Sequence, residues 1–290
     1  MIKNLANGIA IHFTTLRAVY CSNLSPSFSV PVNHKPRTPF QQRCLSMLRK
    51  RKVADWVGFR VVPPIDPKTL NPLPPRQRAL NEHRARALQS MMEAMIHHLN
   101  IITGVVHCTV EKLAEYCGLD TVSEAGNRSI TRASRCIQQM ECFGLLQCER
   151  EWNAALGIWY PKIIQVTPLF FQSIEIPQED WEAAIRQQEG YQRQGLANAQ
   201  EQLSIEEARL RQIAQLKEIY LRQRQARQEI KRARKLQQLT LQKQRSEISK
   251  SIIKALSQIE LIHLGVQGVQ KLVNQKMMEF KRLLSHSPPT

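Results

Sequence analysis

Nowhere in the 290 residues is there an uninterrupted apolar run of about 18, so the sequence offers no membrane-spanning helix. No C-x-x-C pair occurs, which argues against a zinc ribbon. The cysteines number seven (Cys21, Cys44, Cys108, Cys117, Cys136, Cys142 and Cys148), and an odd count argues against a complete disulfide set. None of the 11 glycines precedes a lysine, so no G-x-x-x-x-G-K-[ST] loop can hold a nucleoside triphosphate. His97 and His98 are adjacent and so lack the spacing of a His-x-His metal pair. No Ser-His-Asp signature and no carboxylate cluster for two-metal chemistry is present. The expectation is a protein that is not an enzyme and has neither cofactor nor metal. Acidic residues are also scarce, with 24 Asp+Glu against 41 Lys+Arg and a net charge of +17. That imbalance calls for a polyanionic partner, nucleic acid before an anionic membrane surface.

The pair His107-Cys108, close to Cys117, invites a metal reading, but small buried side chains beside a chance histidine account for it more simply. Reduced thiols and a cytoplasmic location follow. The first residues resemble a signal peptide only in outline: His12 and Arg17 interrupt the apolar stretch, and Tyr20 is too bulky for a cleavage site. Residues 1–34 are read as a loose tail.

The charge is unevenly placed. Residues 1–108 hold 15 cations and 4 anions, residues 109–180 hold 6 and 10, and residues 181–290 hold 20 and 10. Prolines punctuate the chain. The run VVPPIDPKTLNPLPP (61–75) cannot be helical and reads as a connector closing a basic segment, 35–75. Pro168 and Pro177 mark a second break before a linker, 176–199. After Gly195 no glycine occurs until Gly265 and no proline until Pro288, the strongest helix signal in the sequence.

Between these breaks, residues 76–175 show a recognisable order. Ala87, Leu88, Met91, Met92, Met95 and Leu99 recur at helical spacing within 76–100, and VVHC (105–108) is a short strand candidate. Thr109 can cap a second helix carrying Val110, Leu113, Ala114 and Cys117 on one stripe, with Gly118 ending it. After the turn LDTVSEAGN, a third helix is expected from about Arg128 to Phe143. Ile130, Ala133, Ile137 and Met140 fall on one side of it; Arg128, Arg132, Arg135 and Gln139 fall opposite, flanked by Thr131 and Gln138. Such a helix can dock by one face and reach base edges and phosphates by the other. LLQCEREW (145–152) and WYPKIIQV (159–166), joined by NAALGI, then read as a hairpin. The expected fold is mainly α with a small β-hairpin: a winged helix-turn-helix domain followed by long basic C-terminal helices. An amphipathic helix with an arginine face also suits any soluble domain, and that plainer reading stays open.

The stretch CTVEKLAEYCGLDTVSEAGNRSITRASR (108–135), with FGLL (143–146) and the hairpin after it, resembles the RepA replication initiators of IncFII-type plasmids, including relatives on plasmids of enterobacterial endosymbionts. Weaker similarity lies in HKPRTPF and VGF (34–59), PPRQRA (74–79) and IKRAR (230–234). The resemblance covers roughly 35–175; the connector, the Gln-rich C-terminal region and the first 30 residues do not match closely. It implies binding of double-stranded plasmid origin DNA, recruitment of host replication initiation and helicase-loading proteins, and a copy number set by initiator supply. Composition shows only a basic nucleic-acid binder.

On this reading Arg128, Ser129, Thr131, Arg132 and Arg135 form the base-reading face, with Lys112, Arg150 and Lys162 as phosphate contacts. Arg49, Lys50, Arg51 and Lys52 form either a phosphate-contacting arm or a solvated surface. Arg76 and Arg78, with Arg84 and Arg86, continue the charge along the first helix of the domain. Residues 200–250 are expected as one helix of about 75 Å. Its 12 cations and 2 anions between Arg209 and Arg245 include Lys231, Arg232, Arg234 and Lys235. Leu203, Leu210, Ile213, Leu216 and Tyr220 give it an apolar seam, so a basic arm on DNA competes with self-association. Residues 251–290 follow as an amphipathic helix. A winged-helix transcriptional repressor and an RNA-associated basic protein remain as rivals.

Overall fold

The computed structural model describes residues 23–32, 36–124, 126–194 and 204–285. The protein is mainly helical with a few short antiparallel strands. It divides into two compact units, the first ending at Leu216 and the second beginning at Lys217.

In the first unit, helix α1 (Pro39–Lys50) starts at a capping box in which Thr38 and Gln41 satisfy each other's backbone amides, with Pro39 in the first turn. Its Cys44 and Leu48 are buried with Val53 and, from the single-turn helix α2 (Gly58–Val61), Phe59. These residues share one core with helix α3 (Glu82–His97), whose Leu88, Met91, Met92 and Met95 are fully buried. Gln41 fixes the packing by donating to the carbonyls of Ile96 and Leu99 at 2.9 and 3.0 Å. Within the expected basic segment 35–75, the part from Phe40 to Val62 packs into the core of the first unit, while most of the connector after it is exposed.

The connector is ordered too. Asp66 accepts from Lys68 N and Thr69 Oγ1, Leu73 N donates to Pro64 O, and Ile65 N donates to Cys142 O at 2.8 Å. The chain thus folds back on itself and is pinned beside the third helix of the domain. α3 begins later than expected, because Pro74 and Pro75 hold the chain extended and Asn81 caps at Arg84 N. Arg76 and Arg78 consequently precede the helix.

Helix α4 (Val110–Tyr116) is capped by Thr109, buries Leu113 and Ala114, and is followed by Gly118 at φ +60°. A small ladder then pairs β1 (Thr121–Val122) with β2 (Arg128–Ser129), so helix α5 (Thr131–Cys142) begins three residues later than the pattern suggested. Arg128 and Ser129 lie on a strand, not on the helix. β3 (Leu146–Glu149) pairs with β6 (Ile163–Val166), and β4 (Trp152–Asn153) with β5 (Ile158–Trp159). Between the ladders two residues face three, including Pro161, which has no amide hydrogen to donate; the register shifts there by one. VVHC contributes only single bridges, Leu99 to Val106 and Val105 to Gln165, beside β6. Gly104, at φ +70°, lets the chain approach Val166 closely, and Val166 N donates to its carbonyl at 2.9 Å.

The expected linker 176–199 is instead largely helix: after α6 (Pro168–Gln172), α7 spans Gln178–Gln194, and 195–199 lie outside the described residues. Trp181 anchors α7 by donating Nε1–H to Ile101 O at 3.0 Å and by packing its ring 4.7 Å from that of Phe171. Residues 23–32 do not behave as a loose tail. Asn23 Nδ2 donates to Gly118 O, Ser29 N to Tyr116 O, and Phe28 packs against His97; residues 1–22 and 33–35 lie outside the described set.

The long helix is also revised. Three residues, 238–240, separate α8 (Ile205–Gln237) from α9 (Leu241–Ala255), whose N-cap is Thr240, and α10 (Gln258–Ser285) bends at Gly265, whose φ is +57°. No proline or glycine marks the break at 238–240; burial decides it. In the second unit Ala233, Ile248, Val273 and Phe280 form a shared core that an unbroken helix could not close. In the first unit Ile213 packs with Val105 and Ile163, with Leu216 beside them, so part of the apolar seam that suggested self-association is used intramolecularly. Leu203 lies outside the described residues.

Candidate nucleic-acid interface

α5 divides by face. Ala133, Cys136, Ile137 and Met140 are buried against the domain, while Thr131, Ser134, Arg135 and Gln138 are exposed. The helix begins at Ile130 with no side-chain cap, leaving its first amides to other acceptors, and the hydroxyls of Ser129 and Thr131 sit 2.9 Å apart beside them. Arg135 pairs with no carboxylate among the described residues. Hydroxyls, an uncapped helix start, a guanidinium and an amide side chain therefore line one exposed surface.

Several residues expected on that surface are otherwise engaged. Arg132 is half-buried and donates from Nη1 to Asn23 O at 2.8 Å, tying residues 23–25 to the helix. Arg128 pairs with Asp120 at 2.9 Å and Glu115 at 3.3 Å. Lys112 also pairs with Glu115 at 3.2 Å; its hydrogen bond, followed by the nearby charges, holds the Glu115 carboxyl below the usual range. A phosphate approaching Lys112 or Arg128 must displace a carboxylate. Gln139, expected on the exposed face, has both amide atoms shielded from solvent.

Lys162, expected as a phosphate contact, is held by a carboxylate and largely covered. It is mostly buried with Glu141, Nζ to Oε2 at 2.6 Å, joining the residue before β6 to α5. Removing one partner would strand the other charge. Glu141→Gln is expected to destabilise the first unit by about 2–4 kcal/mol in denaturant unfolding, whereas an exposed pair would cost under about 1 kcal/mol. Arg150 is exposed between β3 and β4, and the rings of Trp152 and Trp159 meet across the hairpin at a tilt of 58°, with centroids 5.3 Å apart and about half their surface exposed.

The four cations at 49–52 are not equivalent. Arg49 pairs with Glu93 at 3.2 Å and Arg51 with Glu175 at 2.5 Å, while Lys50 and Lys52 project into solvent. Arg86, expected to track the DNA backbone, donates to Leu24 O and Ser25 Oγ and pairs with Glu82. In the second unit Lys231, Arg232 and Lys235 are exposed on α8 and Arg234 is half-buried. The sequence did not reveal that Arg76 and Arg84 share a cleft with Arg135. The PPRQRA motif was the available hint.

His107 is engaged within the protein. Its Nε2 meets the amide nitrogen of Gln212, whose oxygen accepts from Asn100 Nδ2 at 3.0 Å and from Thr103 Oγ1, so a neutral imidazole accepts from Gln212. Burial lowers the His107 pKa. A histidine whose folded pKa is depressed contributes stability that is present above its unfolded pKa of about 6.5 and is lost as pH falls through the folded value. Melting temperature should therefore fall on acidification below about pH 6.5, and His107→Gln should flatten that slope. Nearby, Cys108 is half-buried and Cys117 buried, and desolvation pushes each thiol up to about 12.

The profile of the IncFII RepA protein family matches residues 16–285. The chain belongs to that family. The match takes in the connector and the C-terminal helices, so the family likeness extends well beyond the roughly 35–175 expected from the motifs. The chain is 34% identical over 279 residues to a "probable replication-associated protein repA1" of Buchnera aphidicola from Schizaphis graminum, covering 94% of this chain and 98% of that one. It is 36% identical over 275 residues to the repA1 protein of Buchnera from Cinara cedri, covering 92% and 97%. A "replication initiation protein" of Escherichia coli is 32% identical over 103 residues, 36% of each chain. No solved structure matches. Family membership makes this IncFII RepA homologue a plasmid-type replication-associated protein. Among its described residues no helix is long and apolar enough to cross a membrane.

Proposed function

We propose that this IncFII RepA homologue initiates plasmid replication in the cytoplasm by binding the double-stranded origin and recruiting host initiation and helicase-loading proteins, acting by binding rather than catalysis, with its supply setting copy number. The observation that carries the reading is the exposed face of α5, where Thr131, Arg135 and Gln138 follow an uncapped helix start. Helices α3, α4 and α5 followed by the β3–β6 hairpin have the order of a winged helix-turn-helix, and we assign α5 as its recognition helix. Readout is given to Arg135, Thr131 and Gln138, and phosphate anchoring to the α5 start with Ser129, helped by Arg128 once its carboxylates yield. Arg150 supplies a further phosphate contact.

Lys231, Arg232 and Lys235 are assigned to sequence-independent backbone contact. Changing all three to glutamine should reduce the slope of log affinity against log salt by about three while leaving site preference intact. The proposal itself is tested by replication. A plasmid whose only replicon is DNA flanking this gene should be maintained when the chain is supplied in trans, with copies rising with supply. Loss of the plasmid at every level of supply would refute it.

A further inference from the structure

A cleft of about 550 Å³ lies between α5, the first turn of α3 and the folded-back connector. Arg76, Arg84 and Arg135 line it, and no carboxylate does. Arg76 is held in place by its own neighbourhood, Nε donating to Arg78 O at 2.8 Å. Its guanidinium, partly desolvated, also feels the charge of Arg84, and both influences lower its affinity for its proton. Bringing guanidiniums together without a counter-charge is unfavourable unless an anion completes the set, and guanidinium forks suit phosphate best.

The remaining lining is not that of a simple anion site. Leu73, Pro74 and Phe143 provide an apolar wall, and Leu73 keeps about two-fifths of its surface exposed. Gln138 and Gln139 add two amides. Both polar atoms of the Gln139 amide are buried and meet no partner among the described residues. Such an orphaned group needs a partner, which a ligand or an ordered water can supply. An amide offers a donor and an acceptor side by side, the complement of a base edge such as N6 and N7 of adenine. The volume falls in the range of small-ligand sites.

We propose that this cleft binds an unpaired nucleotide: phosphate on Arg76, Arg84 and Arg135, base on the apolar wall, base edge on Gln138 and Gln139. A base stacked in a duplex cannot reach the wall, so the ligand is either a residue of a single strand or a free nucleotide. For a protein acting where a duplex opens, the first would hold one strand apart.

The test uses the full chain at about 150 mM salt, with two labelled probes: a single-stranded oligoadenylate of about 10 nucleotides, and ATP. Arg84→Gln is the main variant, because Arg84 lies off the α5 readout face. Gln139→Leu is the second; it removes the orphaned amide without emptying the packing. Each change is expected to weaken the bound probe about tenfold while melting temperature stays unchanged. Dependence of the oligonucleotide on Arg84 identifies a strand site, and dependence of ATP alone identifies a free-nucleotide site. Absence of binding to either probe, or binding indifferent to both substitutions, overturns the proposal. Selectivity for plasmid duplex is measured on the same samples. A chain that holds the oligonucleotide through Arg84 but selects no duplex refutes readout by α5 alone, and the reverse result refutes this site alone.

Discussion

Replacing Arg135 with alanine is expected to reduce discrimination between the origin and unrelated duplex by about 1–3 kcal/mol, roughly 5- to 150-fold, while non-specific retention changes little. Arg135 is the guanidinium on α5 that is both exposed and unmatched by a carboxylate among the described residues. Among the described residues no ion pair must be broken before it reaches a base edge. Arg132 is the informative control. It sits one residue past Thr131 and looks equivalent in sequence, yet its guanidinium holds Asn23 O. Arg132→Ala should lower stability and leave the ratio of specific to non-specific affinity close to that of the wild type. The check is that ratio, measured at one salt concentration, for the wild type and both variants. An unchanged ratio in Arg135→Ala would remove α5 as the reading element.

Leu48→Ala should destabilise the first unit by about 2–5 kcal/mol. Leu48 has no exposed surface, and the structure places it in the same core as Met91, Met95 and Phe171. For a unit of this size that corresponds to a fall in melting temperature of roughly 5–15 °C. Were the 49–52 cations a detached arm, with Leu48 merely their apolar neighbour, the change would stay near 0.5 kcal/mol. Calorimetry or denaturant unfolding separates the two outcomes. DNA binding should be lost together with folding, not before it.

The readable parts of this protein are those set by local pattern. Val110, Leu113, Ala114 and Cys117 at i, i+3, i+4 and i+7, with Thr109 before and Gly118 after, specified α4 to within a residue or two. The hairpin was legible from its two β-compatible runs, although the shift at Pro161 was not. The buried face of α5 followed from spacing as well. What failed was long-range. Lys162 meets Glu141 across 21 residues and Arg132 meets Asn23 across 109, and nothing in either neighbourhood announces the partner. The break at 238–240 lacks proline or glycine and exists because Ala233 and Ile248 bury each other's surroundings in the second unit. The connector's prolines correctly excluded a helix, but the Asp66-centred fold that presses it against Cys142 depends on partners distant in sequence. The cleft shared by Arg76, Arg84 and Arg135 was hidden for the same reason.

The most direct measurement is a selection by the purified full chain from sheared plasmid and chromosomal DNA of its source cell. It would be run at about 150 mM salt with competitor, because non-specific affinity depends steeply on ionic strength. An initiator recovers one plasmid fragment near its own gene, and Arg135→Ala loses that enrichment. Recovery of scattered promoters, or of no sequence above background, would contradict origin binding by this protein.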